Sequence, residues 1–157
     1  MATVAFRAYE ASDLPLCLDL FDANTPAFFA PNERTDYHNF LAENPKHYWL
    51  CQEAGAVVGA YGLTTLTART VRLDWILLHP NSQHRGLGSR FMAQALEVAA
   101  AWGADTLAIA TSHLSAPFFA RYGAVEEART TDGWGPGMHR VDMRLALPGP
   151  VADGLMG

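Results

Sequence analysis

The chain has 157 residues, of which 50% are hydrophobic and 17% are charged, a composition typical of one folded domain with a full apolar core. A formal net charge of -5 argues against a nucleic-acid-binding protein. No basic flank precedes an apolar core at the start, and no apolar run is long enough to span a membrane. The two cysteines have no metal-ligand spacing around them and predict neither a disulfide framework nor a metal site. We expect a cytoplasmic protein with a single domain at residues 1–147 and a disordered tail at 148–157.

Hydrophobic periodicity and turn residues predict strands and helices in the order β-α-α-β-β-β-α-β-α-β-β. The strands are expected within residues 3–10, 47–66 (two strands about a turn at Ala54 and Gly55), 70–80, 106–112, 125–130 and 139–147. The helices are expected within residues 12–24, 33–44, 86–103 and 115–123, with Ser12 and Ser115 as N-caps. This order predicts an α+β fold, in which helices cover the faces of a mixed sheet.

Two glycines stand where the strand at 70–80 gives way to a long helix, in the stretch PNSQHRGLGS. Free N–H groups at a helix start bind phosphate oxygens, and glycines at positions 86 and 88 remove β-carbons that would keep a diphosphate away. A dinucleotide-binding loop would have a third glycine where Phe91 stands. A nucleoside-triphosphate loop would have Lys followed by Ser or Thr where Ser89 and Arg90 stand. Both of these alternatives therefore fit the loop poorly.

The segment Gln83-His84-Arg85-Gly86-Leu87-Gly88 resembles the Q/R-x-x-G-x-G/A signature of the GCN5-related N-acetyltransferase (GNAT) superfamily, and the resemblance extends in element order over residues 3–147. It implies a mostly antiparallel sheet of about seven strands with about four helices, and acetyl-CoA as the cofactor. By this resemblance, the loop surrounds the pyrophosphate and the preceding strand pairs with the pantetheine arm. The cofactor-binding residues so implied are Ile76, Leu77, Leu78, Gln83, His84, Arg85, Gly86, Leu87, Gly88, Ser89, Ser112 and Phe119.

The stretch SHLSAPFFARYGA resembles the family's next helix but departs from it at two positions. Ser112 stands where the family usually has an asparagine that touches the cofactor. Phe119 stands where it has the tyrosine that protonates the leaving thiolate. Tyr122 would replace that acid only in a rotated helix, and its spacing from Phe118 predicts instead that the two rings pack together.

An amine acceptor must lose a proton before it attacks a thioester, because a lysine-like ammonium titrates near ~10.4. Asp74 is the predicted catalytic base, and several members of the family carry a glutamate at this place. Regular alternation would put Asp74 on one face with Arg72 and Ile76, and Val71, Leu73, Trp75 and Leu77 on the other. A surface ion pair between Arg72 and Asp74 is the competing interpretation. Asp142 and Glu33 are weaker alternatives for the base.

The resemblance places the acceptor pocket between the first two helices and the final hairpin. These parts contribute aromatic, methionine and histidine side chains, namely Phe28, Phe29, Tyr37, Trp134, Met138 and His139. We select Phe29, Trp134 and His139 as substrate-binding residues, and the glycines around Trp134 predict a shaped or mobile flap.

The predicted activity is acetyl transfer to a small-molecule amine by direct attack in a ternary complex, because no cysteine or serine sits in a nucleophile-plus-base arrangement. Acetylation of a protein N-terminus or lysine, and an idle acyl-CoA-binding module, are the alternatives. The expected partners include no nucleic acid and no membrane, and a homodimer is left open.

Overall fold

Seven strands and four α-helices form the part of the chain that the structure, a computed structural model, describes: residues 4–25, 27–82 and 86–147. The strands are β1 (Val4–Ala8), β2 (Tyr48–Glu53), β3 (Ala56–Thr65), β4 (Thr70–Leu78), β5 (Thr106–Ser112), β6 (Val125–Gly135) and β7 (Met138–Ala146). The helices are α1 (Leu14–Ala23), α2 (Glu33–Ala42), α3 (Leu87–Ala101) and α4 (Ala116–Ala120). The tail predicted to be disordered, 148–157, lies outside the described residues.

The strands form a single sheet in the order β1-β2-β3-β4-β5-β7-β6, and every neighbouring pair is antiparallel except β4 and β5. Helices α3 and α4 bury Phe91, Met92 and Phe119 against one face. Helices α1 and α2 bury Phe21 and Leu41 against the other. The predicted α+β fold class, with its mostly antiparallel sheet, is confirmed.

Helix α1 begins differently from the prediction. Ser12 lies inside a one-turn 3-10 helix, Ala11–Asp13, and Asp13 takes the N-cap position. The Asp13 carboxylate accepts a hydrogen bond from the Glu10 backbone N–H at 2.8 Å and two from the Arg7 guanidinium, each also 2.8 Å. The Arg7 bonds hold the pKa of Asp13 below its ordinary value. The predicted N-cap at Ser12 is wrong because a carboxylate paired with β1 fixes the helix entry instead.

The final hairpin is also tighter than predicted. Residues 131–138 were expected to form a loop, but β6 runs to Gly135 and β7 begins at Met138. Only Pro136 and Gly137 remain for the turn, and Gly137 has the positive φ (77°) that such a turn requires. Trp134 therefore projects from a strand.

A β-bulge interrupts β4 at Trp75. Ala60 of β3 pairs with Leu77, whereas Gly62 pairs with Asp74, so two residues of β4 oppose one of β3. Trp75 lies in the bulge and has a positive φ of 39°. Beyond this point every side chain changes face, because the alternation of a strand has a period of two.

The bulge overturns the predicted faces of β4. Val71 and Leu73 pack in the core beneath α3, but Trp75 and Leu77 pack with α1 and α2. Ile76, predicted to share the face of Asp74, packs against the α3 side. Sequence alternation cannot show an inserted residue, so the predicted common face of Val71, Leu73, Trp75 and Leu77 is wrong.

A buried tyrosine supports the bulge. The Tyr48 hydroxyl donates a hydrogen bond to the Trp75 carbonyl oxygen at 2.7 Å and lies 2.7 Å from the Tyr37 hydroxyl. Both rings are almost fully buried, and burial raises the pKa of each phenol well above its ordinary value. The neutral hydroxyls thus satisfy a backbone carbonyl that the bulge removes from the regular ladder.

Replacing Tyr48 with Phe should lower the free energy of unfolding by about 1–3 kcal/mol, because the Trp75 carbonyl and the Tyr37 hydroxyl would lose a buried partner. Urea unfolding followed by circular dichroism measures this loss. Tyr9→Phe is the matched control, since the Tyr9 hydroxyl makes one long bond, 3.4 Å, to the Leu41 carbonyl. Equal losses in both variants would contradict a special role for Tyr48.

Candidate active site

A cleft opens where the two parallel strands of the sheet separate. Strands β4 and β5 pair only from Thr70 with Thr106 to Leu73 with Ile109. Beyond Leu73, β4 continues through the bulge without pairing to β5, and a cavity of about 1030 Å³ lies between them. Backbone groups along this edge of β4 are thus available to a ligand.

The β4 side of the cleft is lined by Ile76, Leu77 and Leu78. Residues that bind the pantetheine arm, as predicted for these three, would have to lie at such positions. Ser112 and Phe119 line the cleft on the β5 and α4 side. The structure thereby brings the two sequence segments of the resemblance, residues 76–78 and 112–119, to opposite walls of one cavity.

The start of α3 forms one end of the cleft, which we call the loop end. Gly86 is the N-cap of α3 with a φ of 77°, and Gly86, Gly88 and Ser89 line the cavity. Free backbone N–H groups and the helix dipole make such a start attractive to anions. Leu87 is buried in the core, so its side chain anchors the helix start. Gln83, His84 and Arg85 lie outside the described residues.

Glycine is required at positions 86 and 88 of the loop for different structural reasons. A β-carbon at Gly86 would meet nothing within 4 Å, so the positive φ is what requires glycine there. A β-carbon at Gly88 would lie 2.8 Å from the Phe118 ring, at Cε1. Gly88 therefore permits the close approach of the segment after β5 to α3. The sequence suggested that both glycines make room for a diphosphate, whereas at Gly88 the missing β-carbon makes room for the Phe118 ring.

The residues around α4 are arranged partly as predicted. The Phe118 and Tyr122 rings pack together at 5.3 Å between centroids, as their spacing predicted. The Tyr122 hydroxyl lies 2.6 Å from Ser89 Oγ, at the loop end. Ser115 makes no side-chain cap; the Ser112 hydroxyl instead accepts a 3.2 Å hydrogen bond from the Ser115 N–H.

Asp74 lies in the cleft wall and is 6% exposed. Its Oδ1 accepts a 2.6 Å hydrogen bond from Arg72 Nε, and its Oδ2 accepts one from the Thr64 hydroxyl. The predicted pair with Arg72 is confirmed, although its carboxylate is buried and only the arginine is substantially exposed. Both carboxylate oxygens thus have partners beside the cavity.

Aromatic residues surround the opposite end, which we call the acceptor end after the role predicted for it. Phe28, Phe29, Phe40, Trp75 and Trp134 line it. The rings of Phe29 and Trp75 stack at 6.2 Å with an interplanar angle of 23°. Such walls favour an apolar or flat group in the cleft.

Trp134, predicted to lie on a shaped or mobile flap, is held by several contacts in the structure. Its indole N–H donates a 2.8 Å hydrogen bond to the Thr111 carbonyl, and its own carbonyl accepts one from the Asn32 side chain at 2.7 Å. The Arg140 guanidinium lies 4.9 Å from its ring centroid. These contacts join β6 to β5 and to the segment before α2.

Some predicted acceptor residues lie elsewhere. Tyr37 is fully buried beneath Trp75, and neither Met138 nor His139 is among the described residues that line the cleft. The His139 ring lies 4.6 Å from that of His113, and its Nδ1 accepts a hydrogen bond from the Asp132 N–H. Asp142, a weaker candidate for the base, pairs with Arg140 and also lies outside the lining.

Glu33 is more prominent in the structure than in the sequence. It lines the cleft, is 5% exposed, and accepts a 2.8 Å hydrogen bond from the Ala30 N–H at Oε2. Burial raises the pKa of this carboxyl to about 7, against the opposing effect of the Ala30 bond. In the sequence, Glu33 follows Ala30 by three residues, which is the spacing of a capping box. Alanine is not an N-cap residue type, so this spacing did not reveal the hydrogen bond between the two residues.

Replacing Glu33 with Gln should make stability less dependent on pH. The folded-state pKa lies above the unfolded value of 4.5, so the wild type loses stability as the pH rises from 4.5 through about 7. Gln keeps the bond to Ala30 without the charge. The variant should therefore gain on the wild type by about 2–3 kcal/mol between pH 4.5 and 8.

Chemical denaturation at several pH values measures this difference. The exposed Asp36, one turn further along α2, provides the control variant Asp36→Asn, for which a much smaller change is expected. A constant gap between Glu33→Gln and the wild type over the whole range would show that the buried carboxyl titrates normally.

Membrane-crossing helices and metal clusters are both missing from the described residues. None of the described helices has the length and hydropathy needed to cross a bilayer. Within the same ranges, no group of three or more His, Cys, Asp and Glu side chains is placed to hold a metal ion.

Comparison with solved structures shows the same fold in several acetyltransferases. A protein of the GNAT family from Desulfovibrio desulfuricans is 26% identical, with a TM-score of 0.76 over 93% of this chain and 100% of that chain. The ribosomal-protein-S18-alanine N-acetyltransferase from Escherichia coli is 17% identical, with a TM-score of 0.76 over 96% and 98%. Spermidine N-acetyltransferase from Vibrio cholerae, in complex with CoA and spermine, is 15% identical, with a TM-score of 0.69 over 92% and 95%.

No curated protein matches the chain. The family model for the acetyltransferase (GNAT) family matches residues 17–124, which is more than half of the sequence. The glycine loop, the separated β4 and β5 strands and this match agree with one another. The chain belongs to the acetyltransferase (GNAT) family.

Proposed function

We propose that this protein transfers the acetyl group of acetyl-CoA to a small amine by direct attack in a ternary complex. The observation that carries the proposal is the cleft between β4 and β5. Its loop end offers a helix start suited to phosphate, and its acceptor end has aromatic walls with a buried carboxyl group.

The residues of the cleft fit acetyl-CoA, which when bound supplies an acyl group activated as a thioester. Gly86 presents the N–H groups at the start of α3 to a pyrophosphate. The unpaired edge of β4 at Ile76–Leu78 offers backbone groups to the amide-bearing arm. Arg121, which also lines the cavity, adds a cation near the loop end.

Asp74 is the proposed base. The carboxylate would accept one proton from the acceptor ammonium, and the neutral amine nitrogen would form a C–N bond as the C–S bond of the thioester breaks. Coenzyme A would leave as the thiolate, and the second N–H proton of the new amide nitrogen would pass to water. Because both oxygens of Asp74 accept hydrogen bonds, it must exchange its bond to Thr64 or Arg72 when it takes up the proton.

Direct transfer is supported by the positions of the nucleophilic side chains. Cys17 and Cys51 are buried, and burial raises the pKa of each thiol to about 11. Neither cysteine and no histidine is among the described residues that line the cleft. An acyl-enzyme intermediate would need an activated nucleophile at this place.

The leaving thiolate receives no proton from Phe119. The Tyr122 hydroxyl is engaged with Ser89 at the loop end, so water is the proposed proton source. A thiol pKa near ~8.5 makes the thiolate a tolerable leaving group. The phenylalanine at position 119, where the family has a tyrosine, also supports the alternative of an idle acyl-CoA-binding module.

A small acceptor fits the cleft better than a protein chain. The Asn32 side chain meets the Trp134 carbonyl and joins the segment before α2 to β6 across the acceptor end. A peptide would need an open groove there. Acetylation of a protein N-terminus or lysine is the second candidate; the E. coli neighbour is named as an N-acetyltransferase of an alanine in a ribosomal protein.

Acetyl-CoA at 100 times its dissociation constant should raise the melting midpoint by roughly 5–11 °C, because binding on this scale stabilises the fold by ~2.7 kcal/mol. NAD and ATP should have little effect, since neither carries the pantetheine arm that is proposed to lie along β4. Differential scanning fluorimetry measures all three. A midpoint that responds to NAD or ATP and ignores acetyl-CoA would overturn the proposal.

Asp74→Asn should lower kcat by ~10²–10⁴-fold with little effect on acetyl-CoA affinity, because the amide keeps the shape but accepts no proton. Release of the free coenzyme A thiol measures turnover. Asp142→Asn is the control, since Asp142 also pairs with an arginine two residues away and lies outside the described lining. Retained turnover with reduced stability would leave Asp74 as half of a structural ion pair.

A further inference from the structure

Of the two buried carboxyl groups in the described lining of the cleft, Asp74 has a counter-ion and Glu33 has none. Among the described residues, the charged side chains that line the cavity are Glu33, Arg72, Asp74, Arg121 and Arg140, of which Arg121 is exposed. Asp74 is paired with Arg72, and Arg140 is paired with Asp142. In the ranges that the structure describes, no Arg, Lys or His side chain lies within ion-pair distance of Glu33.

The Glu33 carboxyl group is also held in place. Glu33 is the first residue of α2. Its Oε2 accepts a 2.8 Å hydrogen bond from the Ala30 N–H, which fixes the orientation of the carboxyl group. The neighbouring Asn32 is bonded to Trp134, which ties this turn to the far wall. A buried carboxylate in a fixed orientation is costly without a cation, and a ligand ammonium would supply one.

We propose that Glu33 binds the ammonium group of the acceptor, and that the acceptor is a monoamine with an aromatic or apolar body. This inference rests on the proposed function and names the substrate class of the same site. Glu33 acts in recognition, whereas Asp74 removes the proton. The aromatic walls, with Phe29 stacked on Trp75, accommodate the body of such an amine.

The charge balance of the cleft argues against a polyamine. A second or third ammonium would enter a cavity whose other carboxylate, Asp74, already has a guanidinium partner. Among the described residues, Arg72 and Arg140 are each balanced by an aspartate, and Arg121, which lines the same cavity, would repel an additional cation. Each extra charge would lose its hydration without a matching anion, which costs affinity.

The pH dependence of binding follows from the same group. Because the pKa of Glu33 is about 7, its carboxylate form is lost as the pH falls below that value. Affinity for a monoamine should then fall by about tenfold per pH unit. The other charged groups in the described lining are Arg72 and Asp74 from β4, Arg121 after α4 and Arg140 from β7. The carboxylate of Asp36, one turn along α2, adds to the rise in the pKa of Glu33.

Calorimetry on the protein saturated with coenzyme A, which cannot turn over, tests the proposal. The probes are 2-phenylethylamine, its neutral analogue 2-phenylethanol, and spermidine, each measured from pH 5.5 to 8. The wild type should bind 2-phenylethylamine most tightly and lose affinity as the pH falls, while 2-phenylethanol should bind weakly at every pH.

Glu33→Gln should weaken 2-phenylethylamine binding by roughly 10–100-fold at pH 8 and abolish its pH dependence, because a hydrogen bond to a charged group becomes a neutral one. It should leave 2-phenylethanol and coenzyme A binding unchanged. Asp36→Asn is the matched control: it should bind 2-phenylethylamine as tightly as the wild type at pH 8 and keep a pH dependence, displaced only slightly because the Asp36 charge contributes to the raised pKa of Glu33. In turnover, Glu33→Gln should raise KM for the amine more than it lowers kcat.

Unchanged 2-phenylethylamine binding in Glu33→Gln, or no binding of this probe to the wild type, would overturn the inference. Tighter binding of spermidine would overturn the monoamine class. These outcomes are separable from failure of the proposed function, which would appear as absent acetyl-CoA binding in the wild type. They are equally separable from misfolding, because Gln preserves the bond to Ala30 and coenzyme A binding reports the fold.

Discussion

The separation of β4 from β5 is the constraint on which the rest of the molecule depends. Two parallel strands pair for four residues and then part, because the bulge at Trp75 turns β4 away from the regular ladder. The Tyr48 hydroxyl holds the bulged carbonyl. This one irregularity opens the cavity, frees a backbone edge and moves Trp75 into the acceptor end. A stable active site here thus requires a local defect in the sheet.

At the loop end, packing and ligand chemistry use the same small residues. The absence of a side chain at Gly88 lets Phe118 approach α3, and the adjacent Ser89 meets Tyr122. The segment that follows β5 is therefore attached directly to the helix start that would face the cofactor. A substitution at Gly88 would disturb the wall of the cleft as well as its phosphate-binding end, so Gly86 is the cleaner position at which to examine the loop.

At the acceptor end, charge compensation separates two carboxyl groups that look alike in the sequence. Asp74 is buried with an arginine and a hydroxyl as partners. Glu33 is buried with a single backbone N–H, and burial raises its pKa to about 7. The charge of Asp74 is compensated by Arg72, whereas Glu33 has no ion-pair partner among the described residues and gains from a cationic ligand. This difference is the basis for assigning proton removal to one and amine recognition to the other.

The sequence by itself determined the order of the elements, the fold class and the glycine loop with its family resemblance. These features depend on periodicity, turn residues and a contiguous motif, all of which are local along the chain. Tertiary structure decided the bulge at Trp75, the anchoring of Trp134 and the burial of Glu33. Each of these depends on a partner remote in sequence or on the cavity around it, such as Tyr48 for the bulge and Asn32 for Trp134. Alternation and composition carry no record of such contacts, because burial and hydrogen bonding arise only when distant segments meet.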